Sequence, residues 1–524
     1  MIARLLAAAA LLCPLPALAE LREAASTNFI IVSDENEAAL RERVANLEKF
    51  GHVLQSITGA RRLKEQPVKV KIHVVRTMSD VGETMPFGGG AAGYYSSPMR
   101  GPFAVTPRFS GQQGPAPLLP VTVLQHELGH HFMYQYFPAA YPTWYSEGFA
   151  DYVGVIRVDD KNVATLGMPV ENRYLGLRFG EWVPMPKILK AKSYADLGSN
   201  VLAVYSQGWL LVHYLNSSAD GKAKLTAYLR AINSGQPFDK AAEQLGDLEQ
   251  LDKALRTYSR KDRLDATEIR YVDIPVGDIR IRTLAAEEEA LYLEDLSLSS
   301  GIPKSRAADF VTKVRRKAGA YPASPYALRI LTEAETIAGN YAEARAAADK
   351  WIAVDSTNGL ARMYRGMADV MALQAAKSTD KAAWAAARAH LAEARRLAPR
   401  HPQVLHAVFD GYAREGVLPP PAAQNALIQA FDLLPQNGEL RMTVTLDYEA
   451  RGMIQDAIDT LAPLVNDVRD ERELTPREKA KRDRDRAKYA LAGDDSNPNE
   501  PSAHEVMERL NAKLAGNAPV TAAR

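Results

Sequence analysis

Beyond about residue 305 the sequence becomes rich in alanine and follows a pattern of paired amphipathic helices. The run Gly-Asn-Tyr-Ala-Glu-Ala at 339–344 stands where one helix of a pair ends and the next begins. Pro399, Pro435 and Pro463 mark further helix ends. The pattern predicts an all-α region over residues 305–470, distinct from the chain before it.

The step of 36 residues from Pro399 to Pro435 is close to the ~34-residue period of tetratricopeptide repeats. The segment resembles such repeats, with roughly four helix pairs and an insertion near 375–381. No single unit carries the full consensus, so an ordinary helical bundle is the alternative.

Length and charge limit the possible organisation and partners. A chain of 524 residues exceeds what one hydrophobic core organises, so more than one domain is expected. The 64 basic and 63 acidic residues leave a net charge of +1, which gives no field to attract nucleic acid or an anionic membrane. Nucleic acid is therefore not an expected partner.

The first 19 residues have the pattern of a cleavable export signal. Arg4 precedes an apolar run at 5–12, and the small-x-small end Ala17-Leu18-Ala19 follows. The run is too short to span a bilayer, and no later stretch is long and apolar enough. We expect a periplasmic or secreted protein without a membrane span; a buried first helix is the alternative. Cys13, the one cysteine, lies in this segment, which excludes disulfides and cysteine ligands after cleavage.

Residues 20–262 are predicted to form a first domain of the α+β class. The run TNFIIVS at 27–33 indicates a strand, 35–56 follows a helical pattern, and alternating residues at 68–74 indicate a second strand. Two further short strands are possible at 93–95 and 103–106.

Two helices are predicted at 120–137 and 142–153, each opened by a proline. Residues 263–304 are interpreted as a linker with a short β segment, and 471–524 as a charged, partly disordered tail with one short helix.

The first of these helices carries His126-Glu127-Leu128-Gly129-His130, an H-E-x-x-H motif. Positions i and i+4 share a helix face, so both imidazoles can point at one metal ion. Glu127 lies one residue further round and can reach a metal-bound water. Zn²⁺ is the predicted cofactor, because zinc sites of this kind use three protein ligands and an open fourth position.

The second helix supplies Glu147 as the third predicted ligand. Asp151 follows one turn later on the same face and is predicted to accept a hydrogen bond from a ligand histidine, which fixes its tautomer and orientation.

The segment WYSEGFADY at 144–152 resembles the Trp-x-x-Glu-Gly-x-Ala segment of zincins whose third ligand is glutamate, such as thermolysin and the aminopeptidase N family. It is most similar to bacterial peptidase-MA-like proteins that combine such a domain with helical repeats. The resemblance covers about residues 27–260. It implies a thermolysin-like domain, with a small mixed sheet and active-site helices, that hydrolyses peptide bonds.

The same resemblance assigns further roles. Tyr205, in a Tyr-x-x-Gly helix, would donate a hydrogen bond to the oxyanion; packing of this tyrosine in an apolar helix is the alternative. Gly93 and Tyr94 lie where the relatives have a substrate strand, but no acidic residue is present to hold a free amine. An edge strand that pairs with an extended peptide is therefore expected.

Two functions from different classes follow from these features. The first is an exported zinc metallopeptidase, endopeptidase-like, with Glu127 as general base and a peptide or protein as substrate. The alternative is a non-catalytic exported repeat scaffold, chaperone-like, with a degenerate zincin domain and a protein partner on the repeats. A combination of capture and cleavage in envelope quality control is also possible on the same layout.

Overall fold

The computed structural model describes residues 20–61, 68–86, 88, 91–109, 117–191, 197, 200, 202–261, 263–465, 491–492 and 501–517. The predicted export signal and most of the predicted charged tail lie outside these residues.

Nine strands occur in the described residues and form two sheets. Their bounds are β1 (Arg22–Ala25), β2 (Phe29–Ser33), β3 (Val70–Val75), β4 (Tyr94–Ser96), β5 (Phe103–Pro107), β6 (Arg157–Val158), β7 (Val163–Leu166), β8 (Thr267–Arg270) and β9 (Arg280–Thr283).

The larger sheet has six strands in the order β4-β5-β3-β2-β1-β9. Strands β2, β3 and β5 are parallel, and β4, β1 and β9 are added antiparallel, so the sheet is mixed. Strand β4 lies at one edge. The smaller sheet is antiparallel in the order β6-β7-β8.

Ten α-helices accompany the strands in the described residues up to 261. They are α1 (Glu37–Thr58), α2 (Met78–Thr84), α3 (Pro120–Tyr136), α4 (Thr143–Gly154), α5 (Glu171–Phe179), α6 (Met185–Lys190), α7 (Leu202–Asn216), α8 (Ala219–Asn233), α9 (Phe238–Ala241) and α10 (Leu248–Tyr258). Asn36 caps α1 through its side chain and Gly59 ends it with a φ of 71°.

The first region contains two apolar cores. One lies between the large sheet, α1 and α3 and buries Ile31, Ile72 and Leu124. The other is helical, centred on Trp144 of α4 and Trp209 of α7. The helices that carry the predicted site lie where the two cores meet.

Residues 263–304, interpreted from sequence as a linker, are built into the fold. Strands β8 and β9 do not pair with each other: β8 joins the small sheet and β9 the large one. The helices α11 (Ala286–Ala290) and α12 (Tyr292–Ser300) follow. Leu296 of α12 packs against Phe103 and Val105 of the large sheet.

Most of the remaining described chain is helical. Its elements are α13 (Ala307–Ala318), α14 (Pro325–Ile337), α15 (Tyr341–Val354), α16 (Gly359–Ala375), α17 (Lys381–Leu397), α18 (Pro402–Ala413), α19 (Pro421–Leu433), α20 (Gly438–Ala450), α21 (Ile454–Val465) and α22 (Ala503–Asn517). From α14 to α21 they form four successive pairs. The prediction of a helical-repeat region is confirmed.

Local signals in the sequence explain these helix ends. Ser324, Asn358, Asp380 and Asn437 are N-caps whose side chains accept hydrogen bonds from the first turn. Gly339, with a φ of 78°, closes the turn between α14 and α15. No helix among the described residues is long and apolar enough to cross a membrane.

Candidate metal centre

Helices α3 and α4 cross closely because small residues meet where they touch. A Cβ atom added to Gly129 would lie 3.1 Å from the Cα atom of Ala150 and 3.0 Å from Cγ2 of Val153. The glycine costs helix stability, but it lets α4 approach α3. This places the second predicted helix directly beside the H-E-x-x-H motif.

A second glycine contact fixes the other side of α4. A Cβ atom on Gly148 would lie 2.5 Å from the carbonyl oxygen of Gly208 in α7, and one on Gly208 would lie 2.5 Å from the carbonyl oxygen of Trp144. Neither position has room for a side chain. The backbone around Glu147 is therefore held between two helices.

The three predicted ligands come together at this crossing. His126 Nε2 lies 3.2 Å from His130 Nε2, and the two nitrogens lie 3.3 and 3.6 Å from Oε2 of Glu147. The two histidines and Glu147 are the group of possible ligands found among the described residues.

The outer nitrogen of each histidine has its own partner. His126 Nδ1 lies 2.9 Å from Oδ1 of Asp151, and His130 Nδ1 lies 3.3 Å from the hydroxyl of Ser146. With Nδ1 occupied in both rings, both Nε2 atoms face the shared centre. Asp151 thus stands where the sequence predicts it, whereas the contact from Ser146 was not predicted.

The spacing of the three atoms fits a divalent cation. Ligands about 2.0–2.1 Å from zinc at tetrahedral angles lie about 3.3–3.4 Å apart, close to the three separations here. Two imidazole nitrogens and one carboxylate oxygen are also a donor set that zinc accepts. The residues present could hold zinc, which remains a prediction.

The charged groups of this cluster lie close enough together to shift one another's pKa values. Burial favours the neutral form of Glu147, but the charge of His130 and hydrogen bonds from both histidines hold its pKa well below the usual range. Burial disfavours protonated His126, but the charge and hydrogen bond of Asp151 outweigh it and raise its pKa to about 10. The raised pKa of His126 means that its ring carries a proton at neutral pH without a cation, and a bound cation would replace that proton.

Glu127 is buried beside this cluster. Burial raises the pKa of its carboxyl group, although the nearby histidines oppose that shift. The backbone N–H of Tyr95 hydrogen-bonds to it. Edge strand β4 therefore runs directly past Glu127.

Gly93 and Tyr94 have different surroundings. A Cβ atom on Gly93 would lie 2.6 Å from Cγ1 of Val123 and 3.7 Å from Cγ of Glu127, so this glycine lets the strand pass close to α3. The hydroxyl of Tyr94 lies 2.9 Å from that of Ser300 on α12, away from the histidines. The predicted peptide-pairing role of these two residues stays a prediction.

Tyr205 lies on α7, and the Arg173 guanidinium is 4.6 Å from the centre of its ring. Arg173 Nε also donates to Oδ2 of Asp151 at 2.8 Å. Arg173 on α5 thus connects Tyr205 with the residue that orients His126. Arg173 belongs to no motif, so the sequence pattern does not predict its role. The catalytic roles suggested for Glu127 and Tyr205 stay predictions.

No protein-family model matches the chain, and no curated protein matches it. Among solved structures, it is similar to TTC0263, a thermophilic TPR protein in Thermus thermophilus, at 19% identity and a TM-score of 0.30, over 44% of this chain and 100% of that one. MamA from Desulfovibrio magneticus is 14% identical with a TM-score of 0.25, over 34% and 93% of the two chains. The human IFIT1 dimer with PPP-AAAA is 15% identical with a TM-score of 0.28, over 70% and 74%.

The identification as a glutamate zincin is corrected: no family model, of zincins or of any other family, matches the chain, and none of the three structures named above is a zincin. The predictions of a thermolysin-like domain and of a zinc metallopeptidase are corrected accordingly. The physical reason is that metal-ligand residues on two crossing helices determine only how those two helices pack. They do not determine the fold of the surrounding domain or its activity.

Proposed function

We propose that this chain is a non-catalytic repeat scaffold that binds protein or peptide partners, and that a divalent cation orders its first region. The proposal is carried by the four successive helix pairs from α14 to α21. Stacked helix pairs of this kind present an extended surface on which a chain segment can lie. The export signal predicted at residues 1–19 supports a periplasmic or secreted location.

The cation would be Zn²⁺ held by His126, His130 and Glu147. When bound, it supplies two positive charges that fix three side chains from α3 and α4 in one arrangement. Asp151 and Ser146 orient the two imidazoles, and Arg173 holds Asp151 from outside. These residues support a role for the metal in joining the two helices.

The binding function is tested with the full-length chain and one defined probe, reduced and carboxymethylated α-lactalbumin, which cannot fold. We expect saturable binding of this probe and none of native α-lactalbumin, and we expect mass spectrometry to find the probe intact after incubation with the zinc-loaded protein. Cleavage of the probe that is lost in Glu127→Gln would overturn the non-catalytic assignment, and absence of binding would overturn the scaffold.

The metal is tested separately by elemental analysis after dialysis. We expect about one zinc per chain and its loss in the double variant His126→Ala and Glu147→Ala. His131→Ala is the matched control, because His131 follows His130 but its Nδ1 faces the hydroxyl of Tyr95 at 2.9 Å. Equal zinc content in the double variant and the control would remove the proposed site.

A further inference from the structure

The turn between strands β4 and β5, residues 97–101, leaves the first region and reaches the helical repeats. It is closed by a hydrogen bond from the N–H of Gly101 to the carbonyl oxygen of Pro98 at 2.9 Å. Gly101 has a φ of 113°, which favours glycine at this position. The turn thereby presents Met99 and Arg100 at its tip.

Ser97 and Met99 of this turn each contact the repeats. The side-chain amide of Asn437, the N-cap of α20, donates to the carbonyl oxygen of Ser97 at 2.8 Å. Met99 packs against an apolar cluster built by α18, α19 and α20, which includes Leu405 and Leu440. The turn is therefore bound through its backbone and an apolar side chain.

Arg100 makes the third contact. Its guanidinium lies 3.4 Å from Oε2 of Glu333 on α14 and also pairs with Asp295 of α12. Together, Ser97, Met99 and Arg100 contact helices from the first pair to the fourth. Since α14 contacts α16 and α16 contacts α18, the turn lies along the surface formed by the first helices of successive pairs.

The charges around Arg100 indicate that an arginine can leave and be replaced. Asp295 pairs with Lys71 and Arg329 as well as with Arg100, and Glu333 also pairs with Arg329. With Arg100 removed, two cations and two carboxylates remain, each still paired. Withdrawal of Arg100 therefore leaves no buried charge unpaired. An unpaired buried charge is the usual obstacle to opening such a cluster.

We propose that the first helices of the repeats form a binding surface for a peptide turn that presents an apolar residue followed by arginine, and that residues 97–101 occupy this surface as an internal ligand. A partner segment with the same two side chains would displace the turn, insert its apolar side chain at the Met99 position and pair its arginine with Glu333. This proposal rests on the scaffold function and names the chemistry of its partner.

The test uses a labelled cyclic peptide of residues 96–103, closed across Ser96 and Phe103, which oppose each other in the hairpin. Its binding is measured to full-length wild type and to the full-length double variant Met99→Ser and Arg100→Ser. We expect the variant to bind at least about tenfold more tightly, because its surface is no longer occupied. The same peptide with arginine replaced by alanine should lose at least about tenfold of that affinity.

Further variants keep the outcome interpretable. Arg100→Ala alone leaves Met99 in place. This single variant is used for the same binding measurement if the double variant does not unfold cooperatively. Arg76→Ser, an exposed arginine of the same region, should bind as wild type does. Addition of Glu333→Gln to the double variant should remove the preference for arginine. Equal binding of the peptide to wild type and to the double variant, or equal binding of the two peptides to the double variant, would overturn the proposal.

The two proposals fail differently. If the chain binds unfolded α-lactalbumin but the cyclic peptide shows no preference for the double variant, only the internal ligand is refuted. If the peptide binds as expected but α-lactalbumin does not, the surface stands as a site for this peptide, and the broader binding of unfolded protein is wrong. A wild-type dimer that dissociates in the double variant would show a second copy's turn on the surface and would overturn the internal arrangement.

Discussion

Asp151 orients one of the predicted metal ligands without being a ligand itself. It faces His126 Nδ1 at 2.9 Å and receives the Nε–H of Arg173 at 2.8 Å, and it is almost fully buried. An oriented histidine loses less freedom when it binds a cation, and partners of this type typically contribute 10- to 100-fold to metal affinity.

We therefore expect Asp151→Asn to retain the fold and lower zinc affinity by about 10- to 100-fold, measured by competition with a chromophoric chelator. Asp160→Asn, an exposed carboxylate after the same helix, is the matched control and should leave affinity unchanged. Unchanged affinity in Asp151→Asn would show that its hydrogen bond to His126 does not support metal binding.

His73 is a buried histidine away from the metal centre. Its Nδ1 lies 2.9 Å from the hydroxyl of Tyr292. Burial, together with the charge of nearby Lys71, lowers its pKa to about 3; Asp295 opposes this shift and Arg100 adds to it. The folded protein thus keeps His73 neutral at a pH where the unfolded chain binds a proton.

Because the folded-state pKa is depressed, the unfolded chain gains the proton first and stability falls as pH drops below about 6.5. Between pH 7 and pH 5 this residue alone should account for about 2 kcal/mol of lost unfolding free energy. We expect urea unfolding of His73→Gln to be less dependent on pH by that amount. Parallel pH profiles for variant and wild type would refute the buried neutral state.

At the scale of elements, the crossing of α4 and α7 positions Glu147. Gly148 and Gly208 meet with no space for a Cβ atom, so the separation of the two helices is set by backbone contact. Any side chain there must push α4 away from α7 and shift the carboxylate relative to both histidines.

Gly148→Ala should therefore destabilise the protein by about 1–3 kcal/mol and weaken zinc binding as well, as followed by urea unfolding and chelator competition. The matched control is Gly51→Ala in α1, where an added Cβ atom meets nothing within 4 Å. That change should stabilise by about 0.5–1 kcal/mol through helix propensity. If both variants shift the free energy of unfolding in the same direction, the close crossing is not the reason that residue 148 must be glycine.

At the scale of the whole molecule, the two regions are joined by a buried ion cluster around Asp295. This carboxylate pairs with Lys71 of the large sheet at 3.2 Å and with Arg329 of α14 at 3.0 Å. Burial opposes its charge, but Arg329, Lys71 and Arg100 hold its pKa well below the usual range. Asp295 thus connects the sheet to the first helix pair.

We expect Asp295→Ala to cost about 3–5 kcal/mol, because the buried cations then lack their common partner. Calorimetry should show separate unfolding of the two regions where wild type shows one transition. Arg100→Ala should cost less, since the remaining charges stay balanced, and exposed Asp309→Ala should change stability by less than about 0.5 kcal/mol. An unchanged transition in Asp295→Ala would show that other contacts couple the regions.

Sequence patterns predicted the long elements well and the short ones poorly. The helix predicted at 120–137 occurs at Pro120–Tyr136, because its proline start and apolar spacing are local signals. Strands β1, β6 and β7 were missed, since two to four residues carry too little periodicity. The short β segment predicted within residues 263–304 occurs as two strands, β8 and β9, that join different sheets because their partners lie far away in sequence.

By itself, the sequence determined that His126 and His130 share a helix face, that Glu147 follows on the next helix, and that paired helices follow beyond about residue 305. All three depend on neighbours within a few residues, where helix period and capping act. Only the tertiary structure decided that Arg173 holds Asp151, that Gly148 meets Gly208, and that residues 97–101 lie on the repeats. Those contacts join residues from about 20 to more than 300 positions apart, and which of them form is settled by packing of the whole chain.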